Sequence, residues 1–420
     1  MSYTQKIVLG YITLAIIGGC VLALPISSAQ GTSTSLFDSF FTSVSAVCIT
    51  GLAVFDTALH WSPFGQIVIM LLFQIGGLGF ISLWVLVAVF RGKKIGLGSR
   101  SMLKHSIGLL QLSGAVRLLK LIVTVTFWTE FIGAIVLSFI FIPEYGITDG
   151  IFYSIFHSIS AFCNAGFNLV DLMDYRADLV VNIVLMSLII IGGIGFVVWD
   201  DVIKYKLKWK EYSFHSRLVL VVTFLILLFG SVLFWLFERT PVLQTVFMTV
   251  ARTAGISTMD LSLLNDNGEL LLTALMFIGG SPGSTAGGIK ITTFVIVLAS
   301  MFSNIRRKQH TEVMGRRISV DTVRAATTLF TFYVLTTVTA TGVLCAVDEL
   351  SLETALFEIV SAFGTVGLSL GITSELSALS QTVLIVLMFA GRVGLFSIVA
   401  ATYEKRITPD IEKPIANVLI

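Results

Sequence analysis

The chain has 420 residues, of which 55% are hydrophobic and only 12% are charged. Soluble domains carry about a quarter charged residues, so this composition excludes an ordinary soluble protein and indicates one embedded in a lipid bilayer. The formal net charge of +2 averages over segregated basic and acidic segments, and it gives no reason to expect a nucleic-acid partner.

Eight apolar intervals of about the length of a membrane span follow one another along the chain. They cover about residues 7–24, 64–90, 121–142, 179–199, 218–237, 270–298, 325–347 and 382–401. The first also fits a secretory signal, because Lys6 precedes an apolar run and small residues follow Pro25. Its length and its place in the repeat described below favour a membrane span.

Basic residues are concentrated on one side of this pattern. Of the 27 lysines and arginines, 22 lie before the first span or in the intervals 91–120, 200–217, 303–324 and 401–420. Because basic connections stay in the cytoplasm, this distribution predicts that both termini are cytoplasmic and that the other connections open outward.

One phrase recurs four times along the chain. It reads FTSVSAVCITGL at 41–52, FHSISAFCNAGF at 156–167, FMTVARTAGI at 247–256 and FEIVSAFGTVGL at 357–368. Its last glycines are Gly51, Gly166, Gly255 and Gly367, and a second cluster follows each by about 25 residues, at Gly76 and Gly77, Gly192 and Gly193, Gly279 and Gly280, and Gly391. This repetition predicts one unit used four times, over about 5–90, 118–202, 217–303 and 321–403, within a single integral membrane domain of 1–420.

A short apolar helix is expected before each of these glycines. Segments 150–162 and 351–363 are too short to cross a bilayer and too apolar for water. A chain that stops partway must return through irregular backbone, which is tolerated there only beside a wet cavity or inside the protein. The predicted fold is therefore an all-α membrane protein of four tandem helix–pore loop–helix repeats. Eight transmembrane helices and four re-entrant loops would stand in pseudo-fourfold arrangement around one pore.

The backbone before each last glycine has the chemistry of a cation site. Main-chain carbonyl oxygens replace a cation's hydration shell without adding a counter-charge, and each short helix directs the negative end of its dipole at the axis. TVG at 365–367 and ITG at 49–51 fit this role. The cysteine three residues before the glycine in copies one and two is expected to offer its carbonyl oxygen, with an incidental thiol.

Copies two and three depart from the common pattern. Arg252 stands at the position of those cysteines, and we expect it to pair with an acid behind the loop, either Asp260 or one of a neighbouring loop. Asn164 is expected to add a side-chain oxygen or to brace its loop. A ring of unequal loops predicts fewer good ion sites than a symmetric ring.

The sixth span is interrupted where a helix should continue. The interruption lies on the cytoplasmic side of the loops and predicts a gate, with a fixed kink as the alternative. It comprises Gly279, Gly280, Ser281, Pro282, Gly283, Ser284, Thr285, Ala286, Gly287 and Gly288. Lys290 and Arg392 lie at similar depth, where a cation indicates function. Arg392 is expected to repel ions, to hydrogen-bond carbonyls of the interruption, or to serve packing.

Two further polar residues lie in apolar segments. Glu130 is expected to form a hydrogen bond inside the bundle rather than to take part in transport, and His157 to hold a helix to a loop rather than to bind a ligand. The sequence contains no enzyme motif, so the chain is not expected to be an enzyme.

These motifs resemble the Trk/Ktr/HKT superfamily of potassium transporters over essentially the whole chain. The resemblance is carried by CITGL, NAGF, RTAG and GTVGLS, by IGGLGF, IGGIGF and MFAGRVG, and by GGSPGSTAGGIK. Eight spans without an additional N-terminal pair are more similar to the membrane subunits of bacterial Ktr systems than to TrkH. Cys48 departs from the pattern, since many members have a hydroxyl residue there.

The resemblance implies gated K⁺ uptake across the bacterial cytoplasmic membrane, with K⁺ as substrate, Na⁺ promoting uptake in some members and no organic cofactor. The filter would comprise Cys48, Ile49, Thr50, Gly51, Asn164, Ala165, Gly166, Thr253, Ala254, Gly255, Thr365, Val366 and Gly367. The interruption would be the intramembrane gating loop, with Arg392 beside it. The implied partners are a second copy of the chain in a homodimer and a cytosolic ring of KtrA-type nucleotide-binding subunits. A Na⁺- or H⁺-coupled potassium symporter is the alternative, with Glu130 as its coupling candidate.

Overall fold

The computed structural model describes residues 3–79 and 115–394, and these residues are almost entirely helical. The helices are α1 (Tyr3–Leu22), α2 (Leu36–Val47), α3 (Thr57–His60), α4 (Pro63–Leu78), α5 (Ala115–Tyr145), α6 (Ile147–Cys163), α7 (Leu179–Gly193), α8 (Phe196–Tyr205), α9 (Phe214–Glu238), α10 (Val242–Ala251), α11 (Asp266–Phe277), α12 (Ile291–Ile305), α13 (Val320–Asp348), α14 (Leu352–Gly364) and α15 (Ala378–Val393). A small antiparallel hairpin pairs β1 (Glu312–Val313) with β2 (Arg316–Arg317). The ends of the expected second and eighth spans and the basic interval 91–120 fall largely outside the described residues.

The first helix of each repeat is the long one. Helices α1, α5, α9 and α13 contain 20, 31, 25 and 29 residues. Within the described ranges these four are long and apolar enough to cross a membrane, and a fifth candidate is the bent pair α7–α8. Large apolar side chains such as Phe127, Phe139 and Phe224 remain exposed on α5 and α9. Exposure of this kind is expected of a surface that meets lipid rather than water.

The short helices α2, α6, α10 and α14 lie inside the bundle. Each packs against the long helix that precedes it, and most of its last two turns are fully buried. Ser35 and Ser351 cap the first turns of α2 and α14 by accepting hydrogen bonds from the backbone N–H three residues on. The short helices therefore end deep in the protein, where their last carbonyls need protein partners.

The second helices α4, α7, α11 and α15 contain only 12–16 residues and end at the glycine clusters. The prediction of one unbroken span over 179–199 was wrong, because α7 stops at Gly193 and α8 leaves it at an angle of 99°. Gly195 takes a φ of +94°, and the N–H of Phe196 donates to Gly283 instead of continuing the helix. The interruption of the sixth span was predicted correctly, since α11 ends at Phe277 and α12 begins at Ile291.

The glycine clusters mark places where two backbones meet. A methyl group on Gly76 would overlap the carbonyl oxygen of Val47, and one on Gly192 would overlap that of Phe162. A methyl group on Gly391 would likewise overlap the carbonyl oxygen of Phe363. In these three repeats the second helix thus touches the last turn of its short helix, which explains the nearly constant spacing between the two glycine positions. In repeat three, Gly279 instead contacts the carbonyl oxygen of Gly287.

Adjacent glycines of α7 provide a direct test of this packing. Gly192→Ala is expected to destabilise the protein by about 1–3 kcal/mol, because the added methyl group has no room against Phe162. Gly193→Ala is the matched control, since no described atom outside its own helix backbone lies within 4 Å of the position that its methyl group would take. Thermal unfolding in detergent measures both variants. Equal melting temperatures for the two would contradict the close approach of the helices.

Candidate functional site

The four repeated glycines meet in a closed ring. A methyl group on Gly51 would lie 2.7 Å from the Cα of Gly166, and one on Gly367 would lie 3.0 Å from the Cα of Gly51. A methyl group on Gly255 would lie 2.9 Å from the Cα of Gly367 and one on Gly166 would lie 3.0 Å from the carbonyl oxygen of Ala254. Residues more than 300 positions apart in the sequence therefore come together, and all four glycines have positive φ.

The carbonyl oxygen just before each glycine belongs to the same ring. The oxygen of Ala165 lies next to Gly51, that of Ala254 next to Gly166, that of Val366 next to Gly255, and that of Thr50 next to Gly367. All four residues that carry these oxygens are fully buried. Four main-chain oxygens brought together without a carboxylate among them have the chemistry of a site for a dehydrated monovalent cation.

Three of the four loops share one backbone geometry. The residue two before the glycine is left-handed in each, namely Ile49, Asn164 and Thr365. The next N–H returns to a carbonyl in the short helix, from Thr50 to Ser45 at 2.8 Å, from Ala165 to Ser160 at 2.9 Å and from Val366 to Ser361 at 2.8 Å. These serines were missed in the sequence. The pattern that could have identified them is a serine or threonine six positions before each of the four repeated glycines.

The hydroxyls of these serines brace the loops as well. Ser45 Oγ accepts from the N–H of Gly51 at 3.0 Å, and Ser361 Oγ accepts from the N–H of Gly367 at 3.0 Å. In copy two, Ser160 Oγ donates to the carbonyl oxygen of Phe167 at 2.7 Å. The glycines are thus held from the end of the short helix that precedes them.

The third loop is built differently. Thr249 occupies the serine position, but its hydroxyl donates back to Thr245 within α10. Thr253, two residues before the glycine, is not left-handed, and the N–H of Gly255 returns to the carbonyl oxygen of Ala251 at 3.1 Å. The expected inequality of the four copies is therefore concentrated in this loop.

The expected ion pair between Arg252 and an acid was wrong. The guanidinium of Arg252 donates to the carbonyl oxygen of Leu275 at 3.0 Å and to that of Ile278. Asp260 instead accepts from Ser262 at the start of a short 3-10 turn. Both hydrogen bonds come from Nη1 of the buried guanidinium, and the negative end of the α11 dipole favours its charge.

Two buried polar side chains bind the segments that follow the second and the fourth repeated glycines, Gly166 and Gly367. His157 Nε2 accepts from the N–H of Leu169 at 3.2 Å, as expected for a helix-to-loop contact. Glu358, at the equivalent position of α14, accepts from Thr373 and, at 3.3 Å, from Ser369. Glu358 was missed, although an acid within the apolar FEIVSAF was a visible signal.

Glu130 lies in the interior of the bundle, as expected. Its Oε2 accepts from Gln74 Nε2 at 3.1 Å, and Gln74 Oε1 accepts from the thiol of Cys163 at 3.2 Å. The thiol of Cys163, expected to be incidental, thus joins copy two to the second helix of repeat one.

The interruption of the sixth span lies directly beneath the ring. It docks on the break between α7 and α8, where Ser281 N–H donates to Gly193 at 3.1 Å and Thr285 N–H to Gly192 at 3.2 Å. A methyl group on Gly287 would overlap the hydroxyl of Thr365 in loop four. Ser281, Thr285, Ala286 and Gly287 are all buried. The backbone of the interruption therefore packs against this side of the ring.

Lys290 and Arg392 both line a cavity of about 270 Å³ next to the interruption. Lys290 Nζ donates to Ala286 at 2.8 Å. Arg392 donates to the carbonyl oxygen of Thr285 at 2.5 Å and, on the other side, to those of Gly77 at 2.9 Å and Gly76. Of the three expected roles for Arg392, hydrogen bonding to the interruption is the one seen here.

A comparison with protein families agrees with this geometry. The model of the TrkH family, described as cation transport proteins, matches residues 3–250 and 223–406. The chain belongs to this family. Its members are transport proteins, which confirms that the chain is not an enzyme.

Individual relatives match over nearly the whole chain. The potassium/sodium uptake protein NtpJ of Enterococcus hirae is 40% identical, with 96% of this chain and 94% of the relative covered. The Ktr system potassium uptake protein B of Bacillus subtilis is 36% identical, with 93% and 90% covered. The crystal structure of the potassium transporter TrkH from Vibrio parahaemolyticus has a TM-score of 0.75 over 97% of this chain and 86% of that one, at 21% identity. This last likeness supports the fold.

Proposed function

We propose that the chain carries out gated uptake of K⁺ through a single pore, with the ring of four glycine loops as its selectivity filter. The observation that carries the proposal is the closed contact of Gly51, Gly166, Gly255 and Gly367, each with a carbonyl oxygen of its neighbour beside it. The relatives named for potassium uptake support K⁺ as the substrate. One of them is also named for sodium, which supports Na⁺ as a second ion that acts on uptake.

The proposed architecture is eight transmembrane helices and four re-entrant loops around this ring. In it, the second helix of repeat three resumes beyond the glycine cluster as α12, and that of repeat two turns by 99° into α8. The chain then lies in the bacterial cytoplasmic membrane with both termini inside, in agreement with the distribution of lysine and arginine.

The interruption over 279–288 is proposed as the gate. It fills the path below the filter, and it is held by hydrogen bonds to three separate elements, α6, α7 and α15. Such a segment obstructs ions when docked and clears the path when these bonds are exchanged for water. Arg392 holds the interruption in place, because it donates hydrogen bonds both to Thr285 and to the end of α4.

Two partners complete the proposal. The relatives named as protein B of a Ktr system support a role as the membrane component of a multi-subunit system. We propose a homodimer of this chain with a KtrA-type nucleotide-binding ring on its cytosolic side, as the source of the force that moves the gate.

A potassium gradient alone is expected to drive uptake. The purified chain in liposomes should take up a rubidium tracer against internal K⁺ without Na⁺ and without a proton gradient, because the filter binds ions through main-chain oxygens and needs no coupled charge. Glu130, the coupling candidate of a symporter, is hydrogen-bonded to Gln74. Uptake that strictly requires Na⁺ or a proton gradient in fixed stoichiometry would establish the symporter instead.

Gly367→Ser is expected to lower the preference for K⁺ over Na⁺ by about tenfold or more, because the added side chain must displace the Thr50 carbonyl oxygen. Gly371→Ser is the control. It has a similar positive φ of +92°, but nothing lies within 4 Å of the added atom. Competition uptake in liposomes reports both variants. The filter assignment fails if Gly367→Ser discriminates between the two ions as well as the unsubstituted chain.

Deletion of residues 281–287 is expected to raise rubidium flux by about tenfold, because it removes the backbone that fills the path below the ring. Flux should also become insensitive to any cytosolic regulator. Tracer flux in liposomes, normalised to the amount of folded protein, measures the change. A deletion variant whose flux is still low and regulated would show that the segment is a fixed kink.

A further inference from the structure

A small cavity lies behind the third loop, between α7, α9 and α10. Its volume is about 30 Å³, which leaves room for about two groups of the size of a water molecule. The polar side chains in its wall belong to Thr223, Arg252 and Thr253, and Gly193 and Gly280 contribute backbone. The rest of the wall consists of isoleucine, leucine and valine, and none of the described residues that line the cavity is acidic.

Two of these side chains have a buried polar atom without a partner. Arg252 uses Nη1 on the carbonyl oxygens of Leu275 and Ile278, but its Nε has no acceptor. The hydroxyl of Thr223 on α9 is likewise unpaired. Arg252 is only 3% exposed, so bulk water does not satisfy it. Because buried polar groups are nearly always hydrogen-bonded, two unpaired ones around one cavity indicate a ligand that both bind.

The third polar side chain of the wall is already bonded. Thr253 Oγ1 donates to Asn164 Oδ1 in loop two at 3.1 Å, and Asn164 Nδ2 donates to Thr285 of the interruption at 2.8 Å. Asn164 thus braces loop two against loop three and the interruption. Since Thr253 gives its proton to Asn164, the donors left for a ligand in this wall are those of Arg252 and Thr223.

The chemistry of the wall favours an anion. The guanidinium is permanently positive, carbonyl oxygens supply only partial charge, and none of the ion pairs among the described residues includes Arg252. A buried charge without an opposite charge is costly. A halide ion accepts from both donors and balances the charge, and it has no hydrogen atoms to place against apolar side chains. Phosphate and sulfate are too large for a cavity of this volume.

We propose that the cavity binds a chloride-sized monovalent anion between Arg252 and Thr223. Arg252 comes two residues before Ala254, whose carbonyl oxygen lies in the glycine ring. A guanidinium without a counter-charge at this place repels a cation in the ring, and the anion cancels that repulsion. This consequence for uptake rests on the proposed function, whereas the anion site itself does not.

Bromide locates the site directly, because it resembles chloride and scatters anomalously. Crystals of the full chain grown in potassium bromide are expected to show an anomalous peak between Nε of Arg252 and Oγ1 of Thr223. The peak should weaken in Thr223→Val, which keeps the shape of the side chain and removes one donor. Density at this position without an anomalous signal would be water, and it would overturn the proposal.

Thermal unfolding in detergent provides the second test. At equal K⁺ concentration, potassium chloride is expected to raise the melting temperature above that in potassium gluconate by about 2 °C or more, in a saturable manner, because gluconate does not fit the cavity. Thr223→Val should lose most of this rise. Thr341→Val on α13 is the matched control and should keep it, since Thr341 is also buried and its hydroxyl donates within its own helix.

Equal melting temperatures of the unsubstituted chain in the two salts would overturn the site. A bromide peak without any such effect of chloride would mark an adventitious ion only, which overturns it as well. A rise that Thr223→Val and Thr341→Val retain equally would assign the effect to the salt in general and not to this cavity.

Tracer uptake in liposomes measures the consequence for transport. When gluconate replaces chloride on both sides, the rubidium concentration for half-maximal uptake should rise by about three- to tenfold. Thr223→Val should show the higher value in both salts. Arg252→Met removes the charge together with the anion, so its half-maximal concentration should not depend on chloride; Thr223→Val keeps the test decisive if Arg252→Met does not fold.

The failures of the two proposals are distinguishable. Rubidium uptake by the unsubstituted chain that is the same in both salts would overturn the influence of the anion on the filter. If the chain shows no preference for K⁺ while the bromide peak and the chloride-dependent melting persist, the proposed function is wrong and the anion site stands.

Discussion

The whole structure depends on main-chain carbonyl oxygens that are kept away from both lipid and water. Four short helices end deep in the protein and leave such oxygens without helical partners. These oxygens are found in three kinds of contact. Some lie in the glycine ring, some are covered by a neighbouring backbone at a glycine, and some accept from a buried arginine or threonine.

The close approach of backbones explains why glycine recurs at two depths. In the ring, positive φ and direct contact with a neighbour's carbonyl both exclude a side chain. In the second helices, the backbone is ordinary, and it is only the carbonyl of Val47, Phe162 or Phe363 that excludes a Cβ. The first group closes the ring, whereas the second fixes the height at which the short helix stops.

The sequence predicted the ring and the break in α11–α12 because both depend on glycine, which has a strong local signal. It did not predict the break between α7 and α8, since Gly192, Gly193 and Gly195 are equally compatible with a continuous apolar span. That break forms because Phe196 finds an acceptor on Gly283. Such a bond joins segments about ninety residues apart and leaves no pattern in either one.

The partner of Arg252 was beyond sequence reasoning for a related reason. An arginine suggests a carboxylate, but the strongest acceptors within its reach are the carbonyls at the end of α11. Helix ends are invisible as charges in a sequence. The same holds for Thr285, which appeared as one hydroxyl among several in a flexible stretch. Only its position under Asn164 distinguishes it from Ser284, whose hydroxyl bonds within the interruption.

The third loop, in which Arg252 stands where copies one and two have a cysteine, has an evolutionary consequence. In a channel of four identical subunits any substitution appears in all four quarters of the pore at once, so a bulky charged group beside the axis would be multiplied by four. A tandem array within one polypeptide removes this constraint. Each quadrant can diverge alone, and here the third is joined by Arg252 to the end of α11, while the second hydrogen-bonds the interruption through Asn164.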